Sequence, residues 1–188
     1  MLSAYEVQYQ NEIYDPYIKT VRLHNPDFQL SAPILHLNSN SRLLLTFDRL
    51  SSDIVDYYYT IELCNSDWQI APLLQAEYIG GFFEDRIEDY SYSFATRVEY
   101  VNYNLEFPND NMQVLKAGNY VMKVFTKEGN EQIIAFVKQF YVLDTQLGID
   151  VKIKEASNLN DKWTSHELDI QIASKTNIEN PSKNLKVI

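Results

Sequence analysis

The sequence predicts an all-β chain: an immunoglobulin-like antiparallel β-sandwich with one long aromatic-rich loop, followed by a few strands of a truncated second β domain. Three observations carry this. Apolar residues recur with period two rather than 3.6. About seven such runs lie between Tyr17 and Leu143, separated by turn residues, as in small sandwiches. β-Branched and aromatic residues dominate the runs, as a pleated, half-buried surface favours.

The first two strands are short, Ile18 to Leu23 and Ile34 to Leu37. Leu43, Leu45 and Phe47 share a face in the next. The run from Tyr57 to Cys64 puts Tyr57, Tyr59, Ile61 and Leu63 on one face and Tyr58, Thr60, Glu62 and Cys64 on the other. Thr96 to Phe107 alternates with a slip of phase near Tyr100, which predicts a β-bulge there. Pro108-Asn109-Asp110-Asn111 ends that strand. Asn119 to Thr126 and Gln132 to Leu143 form a hairpin across Lys127-Glu128-Gly129-Asn130. Two readings of Tyr120 stand at this point. It is either a tyrosine corner opening a late strand, its hydroxyl tied to upstream backbone, or an ordinary half-buried strand residue.

Between the Tyr57 and Thr96 strands lies a long connection, Asn65 to Ser93. Long connections are functional more often than short ones. One or two helical turns are expected at Pro72 to Tyr78, approached by Ser66 or Asp67 and ended by Gly80-Gly81. Trp68, Tyr78, Phe82, Phe83, Tyr90 and Tyr92 concentrate in this connection. They are the candidate partner-binding residues, since aromatics on sandwich loops build recognition patches. The competing reading has them cover an open end of the core. Residues 1–15 are expected as a tail, 16–144 as the sandwich and 145–188 as the beginning of a second β domain. In the last, Ile149 to Ile153, Leu168 to Ile172 and Leu185 to Ile188 alternate.

Composition narrows the function classes. The 188 residues carry a formal net charge of -10, which repels phosphate backbones and anionic lipid. No apolar run approaches the length of a membrane-spanning helix. Cys64 is the single cysteine, so neither an internal disulfide nor a cysteine metal cluster is available. His24, His36 and His166 are far apart. There is no nucleophile elbow, P-loop or dinucleotide fingerprint. The run Glu84-Asp85-Arg86-Ile87-Glu88-Asp89 places Arg86 and Ile87 where a calcium loop needs ligands and a glycine, and reads as a solvated loop face. No catalytic residue, cofactor or metal site is expected. Met1-Leu2-Ser3-Ala4 has neither a basic n-region nor an apolar h-region. This fits either a cytoplasmic protein or a mature region without its leader.

An ordered series of motifs adds a resemblance. It runs through Tyr17-Ile18-Lys19-Thr20-Val21, Ala32-Pro33-Ile34 and Leu44-Leu45-Thr46-Phe47-Asp48-Arg49. It continues with Cys64-Asn65-Ser66-Asp67-Trp68, Glu77-Tyr78-Ile79-Gly80-Gly81-Phe82 and Ile87-Glu88-Asp89-Tyr90. It closes with Tyr100-Val101-Asn102-Tyr103, Phe107-Pro108-Asn109, Gly118-Asn119-Tyr120 and Phe140-Tyr141-Val142. The series resembles the N-terminal domain of the type IX secretion system plug protein, and the stretch from Ile149 is similar to the start of that family's second domain. Departures fall at Asn102, Ala95 and Gln139, where His, Asn and Arg would match better.

The resemblance implies a periplasmic, non-enzymatic protein, its signal peptide absent here. Its partner would be the outer-membrane β-barrel translocon, whose periplasmic opening it closes by occlusion. The alternative is a carbohydrate-binding or accessory sandwich of a polysaccharide-handling system, suggested by Trp68, Phe82, Phe83 and Tyr90. A sugar platform needs coplanar exposed rings; a protein-binding patch does not.

Overall fold

The computed structural model describes residues 10–129, 131–144, 147–158, 163–174 and 178–181. It divides the chain into two compact units, Met1–Asp144 and Thr145–Ile188. In the first unit the strands are β1 (Glu12–Ile13), β2 (Ile18–His24), β3 (Ile34–His36), β4 (Leu43–Arg49), β5 (Tyr58–Cys64) and β6 (Ile79–Gly81). They continue with β7 (Asp85–Arg86), β8 (Asp89–Tyr92), β9 (Val101–Phe107), β10 (Met112–Val114), β11 (Gly118–Glu128) and β12 (Glu131–Leu143). One sheet runs β2-β4-β9-β8. The other runs β1-β12-β11-β5-β7, with β3 joining β12 in parallel. β6 and β10 form a separate two-stranded ribbon. Naming β2, β4, β9 and β8 as A, B, E and D, and β12, β11 and β5 as G, F and C, reproduces the two-sheet order of a Greek-key sandwich.

The inner faces meet in an aromatic core. Phe47 of β4 stacks on Tyr103 of β9 at 4.9 Å and meets Tyr57 and Phe136 of the facing sheet edge-on at 5.2 and 5.0 Å. A second group joins Tyr59, Phe107, Phe140 and Tyr120. All eight rings are fully buried. A buried phenol needs a hydrogen-bond partner, and each tyrosine finds one at a loop. Tyr57 donates to Asp15 Oδ2 at 3.3 Å, and Tyr103 to the Val55 carbonyl at 3.0 Å while accepting from the Val55 N–H. Tyr59 accepts from Asn109 Nδ2 at 2.8 Å.

Tyr120 donates to the Lys116 carbonyl at 2.9 Å, so it is the corner residue at the start of the F-equivalent strand. Gly118 makes that corner possible. Its φ is +151°, and a Cβ there would lie 2.7 Å from Leu63 Cδ1.

Four expectations need correction. The bulge near Tyr100 does not exist: β9 begins at Val101 and pairs regularly with β4 and β8. The phase slip arises because 96–100 lie outside the strand. Irregular register falls instead between Val124 and Phe125, and between Lys19 and Arg22, where Thr20 takes φ 55°. The helix at Pro72 to Tyr78 shrinks to a 3-10 turn, Gln75–Glu77, and Gly80-Gly81 belong to strand β6. Residues 65–93 are not a plain loop, since they hold β6, β7 and β8. Within the stretch expected as a tail, Glu12–Ile13 pairs with Val137 and Phe136.

The second unit contains β13 (Leu147–Glu155) and β14 (His166–Ser174), paired antiparallel. Ile149 faces Ile172, Val151 faces Ile170 and Ile153 faces Leu168, which gathers the apolar side chains on one face. Ile149 and Ile153 remain 65% and 70% exposed there. On the other face Lys154 bridges Glu167 and Asp169. The strand expected at Leu185 to Ile188 lies outside the described residues.

Two predictions follow from the tyrosine tethers. Tyr120→Phe keeps the ring and removes one hydrogen bond, costing about 1 kcal/mol in urea unfolding. Gly118→Ala forces strained backbone and a clash, and costs about 2 kcal/mol or more. Burial pushes Tyr59 up to about 12 from its ordinary 10.0, and also raises Tyr57 and Tyr120. Between these values the unfolded chain has released the phenolic proton and the native chain holds it. This stabilisation is complete below pH 10 and is lost as pH rises through the folded value, by about 1.4 kcal/mol per pH unit for each such tyrosine. Tyrosinate absorbance at 295 nm should therefore show these three phenols ionising together with loss of the β-sheet circular dichroism.

Candidate functional site

The long connection begins with a turn that the Cys-Asn-Ser-Asp-Trp motif builds. Asn65 Oδ1 accepts from the backbone N–H groups of Asp67 and Gln69, at 2.9 and 3.0 Å. The Asn65 N–H donates to the Gln69 carbonyl, and Asn119 Nδ2 donates to the Asn65 carbonyl at 3.1 Å. Trp68 takes φ 60°, in the left-handed region. The turn thereby lays the indole back over the outer face of the β5–β11–β12 sheet. There it packs on Cys64, Val121 and Val137 and meets Tyr141 edge-on at 5.5 Å. Trp68 is half-buried and mainly covers a sheet face.

Tyr78 is also not a surface residue. It is 3% exposed, belongs to the core and meets Tyr120 at 6.0 Å, and burial raises its hydroxyl pKa. This corrects its place among the candidate contacts, because a ring inside the core has no face to offer. Phe82, Phe83, Tyr90 and Tyr92 do remain exposed.

The structure distributes those four over two places. Phe82 and Phe83 follow β6, and the Phe83 carbonyl accepts from Thr60 Oγ1 on β5 at 2.6 Å. Tyr90 and Tyr92 stand on β8, the free edge of the opposite sheet. Their ring planes are at 90°, and Tyr90 leans on buried Tyr103 at 5.9 Å. Perpendicular rings do not make the coplanar platform that a sugar-binding reading needs.

Beside Tyr92 the structure exposes apolar residues that sequence reasoning passed over. Phe94 is 92% and Val98 60% exposed. Tyr17 and Leu50, tied by the Leu50 N–H to the Tyr17 carbonyl, lie at the same end of the β2-β4-β9-β8 sheet. A signal for them existed: Val98 breaks parity with Val101 and Tyr103, as a residue outside the strand should.

Several titratable groups of the long connection are held in structural contacts. Glu84 bonds Lys127 and Gln132, Asp85 accepts from Asn111 Nδ2, and Arg86 pairs with Asp56 at 2.8 Å. An open cleft of about 690 Å³ runs past Asp85, Glu88, Asp89, Glu106 and Asp110. Among the described residues, no group of three or more His, Cys, Asp or Glu is placed to hold a metal ion. His24 is buried, its Nδ1 2.8 Å from the Asn25 carbonyl, while His36 and His166 lie on separate strands. Burial and the nearby Glu62 carboxylate push the Cys64 thiol up to about 11, which disfavours the nucleophilic thiolate.

Cys64 should therefore be inert to a thiol reagent such as DTNB at pH 8 in the folded protein and react on denaturation. Trp68→Ala, which uncovers it, should raise the native-state reaction rate at least about ten-fold, the equivalent of 1.4 kcal/mol in the accessible state.

Comparison with known proteins places these features in context. Among solved structures, the chain is similar to that of a hypothetical protein from Parabacteroides merdae ATCC 43184, with a TM-score of 0.84 and 28% identity. That alignment covers 94% of this chain and 44% of the other, so the chain spans less than half of its solved relative. A search of the curated proteins finds no match. The family model described as type 9 secretion system plug protein 1st domain matches residues 18–144, which span both sheets, the tyrosine corner and the Trp68 turn. The chain belongs to the type 9 secretion system plug protein family, through that family's first domain.

Proposed function

We propose that this chain is a non-enzymatic component of the type IX secretion system, located in the periplasm, which binds and plugs the periplasmic end of the outer-membrane translocon barrel. Family membership carries this reading. The surface is consistent with it. Phe82, Phe83, Tyr90 and Tyr92 are exposed on a rigid sandwich, as anchors for a protein partner would be. A plug acts by steric occlusion, so it needs a stiff folded body and a docking patch. The aromatic core and the tethered loops provide the first; the exposed rings provide the second.

The second unit fits as the opening of a further β domain. The apolar face of β13 and β14 is the kind that additional strands of one domain cover.

The decisive experiment is affinity capture from envelope extracts of the native host with the tagged protein. A large outer-membrane β-barrel should dominate the captured material, and recovery of no such barrel would sink the proposal. Loss of the protein should raise uptake of a normally excluded dye across the outer membrane. Replacing Phe82 and Phe83 together by Ser should lower barrel capture about ten-fold, the loss of one moderate hot spot, with the fold unchanged by circular dichroism.

A further inference from the structure

We infer that the β8 edge is the place where an extended, basic segment of a partner protein docks by adding a strand to the β2-β4-β9-β8 sheet. The inference rests on the proposed function for the identity of the partner, though not for the chemistry. β8 ends the sheet order, and all four of its residues are exposed. Its backbone polarity follows from the register. The Ser93 N–H donates to the Tyr100 carbonyl at 2.9 Å, and Tyr92 lies opposite Val101. In an antiparallel ladder, hydrogen-bonded and non-hydrogen-bonded pairs alternate. Ser93, Ser91 and Asp89 therefore turn their backbone groups inward to β9. Tyr90 and Tyr92 turn an N–H and a C=O each to the free side, four main-chain groups in the spacing that an incoming strand matches.

Natural edges of this kind are usually blunted by lysine, proline or a bulge. β8 is short and opens on the charged Asp89, but it has none of these. The side chains around it define the occupant. Toward its start, Glu88 and Asp89 open onto the cleft also lined by Asp85, Glu106 and Asp110. Glu106 is paired with Arg42, and Arg86, the cation among the described residues lining that cleft, is paired with Asp56, which leaves Glu88, Asp89 and Asp110 as its acidic wall. Toward its other end lie exposed Tyr92, Phe94 and Val98. The complementary segment is extended, carries lysine or arginine at the cleft end and apolar side chains at the other. A second copy of this chain fits poorly, because two bodies of net charge -10 repel and an antiparallel β8–β8 pairing would set Glu88 and Asp89 against the apolar Tyr92 end rather than against a cation.

The test uses a blocked heptapeptide of two lysines followed by alternating valine and threonine, titrated into the whole chain. Binding should slow amide exchange at Tyr90 and Tyr92 about ten-fold and leave Ser91 unchanged. Tyr92→Pro removes an outward N–H and spares the β9 ladder, as proline on an edge strand does. It should weaken binding about ten-fold beyond Tyr92→Ser, which loses the ring but keeps the N–H, as expected for one main-chain hydrogen bond and a lost strand fit. Glu88→Lys with Asp89→Lys should abolish preference for the lysine peptide over its glutamate counterpart. Absence of binding, unchanged exchange at Tyr90 and Tyr92, or equal affinities of the Pro and Ser variants would each overturn the inference. In envelope capture, a barrel recovered equally by the wild type and Tyr92→Pro would overturn the edge as the contact while the plug reading stands. A wild type that recovers no barrel while the peptide result holds would overturn the plug reading alone.

Discussion

The structure depends on buried tyrosines that are apolar at the ring and tethered at the hydroxyl. Tyr57, Tyr59, Tyr103 and Tyr120 each contribute a ring to the layer between the sheets. Each hydroxyl then holds a segment that is not in the same ladder: Asp15, Asn109, Val55 and Lys116. One residue thereby supplies hydrophobic burial and loop position together. Ring burial alone would permit sliding, whereas a phenol with a fixed partner gives the packing one geometry.

The two outer faces of the sandwich differ for a physical reason. On the β2-β4-β9-β8 sheet the outward side chains are polar and paired laterally, as when Asn102 Nδ2 donates to Asp48 and Asn104 Nδ2 to Asn102. On the other sheet, β11 is buried on both faces from Tyr120 to Phe125. Its outward residues, Val121 among them, require a cover, and Trp68 folded back on the Asn65 turn provides part of it. Lys123 sits in the same layer, 8% exposed and paired with Glu62 at 2.7 Å, since a buried ammonium persists only beside a counter-charge. The Trp68 motif thus serves the fold by covering part of the outer face of β11.

Exposed aromatic side chains stand on the β8 side and the Phe82–Phe83 segment, and among the described residues no group of three or more His, Cys, Asp or Glu is placed to hold a metal ion. A scaffold with loops pinned from inside suits the occlusion proposed for it, in which shape and stiffness would do the blocking.

Period two, together with residue type and turn residues, determined the all-β class, the core faces of β4 and β5, and the β11–β12 hairpin, because a strand's alternation and a turn are local properties of consecutive residues. The motif series determined the family for the same reason, since it lies in the residues themselves. Where β9 starts was not local: Val98 and Val101 are equally apolar, and only pairing with β4 and β8 separates strand from bend. The aromatics of 68–92 divided likewise. Trp68, Tyr78 and Tyr92 are alike as side chains, yet one caps a sheet, one enters the core and one stays in solvent. Burial is decided by which strands the chain brings alongside, through contacts between residues far apart in sequence, and only the tertiary structure holds that information.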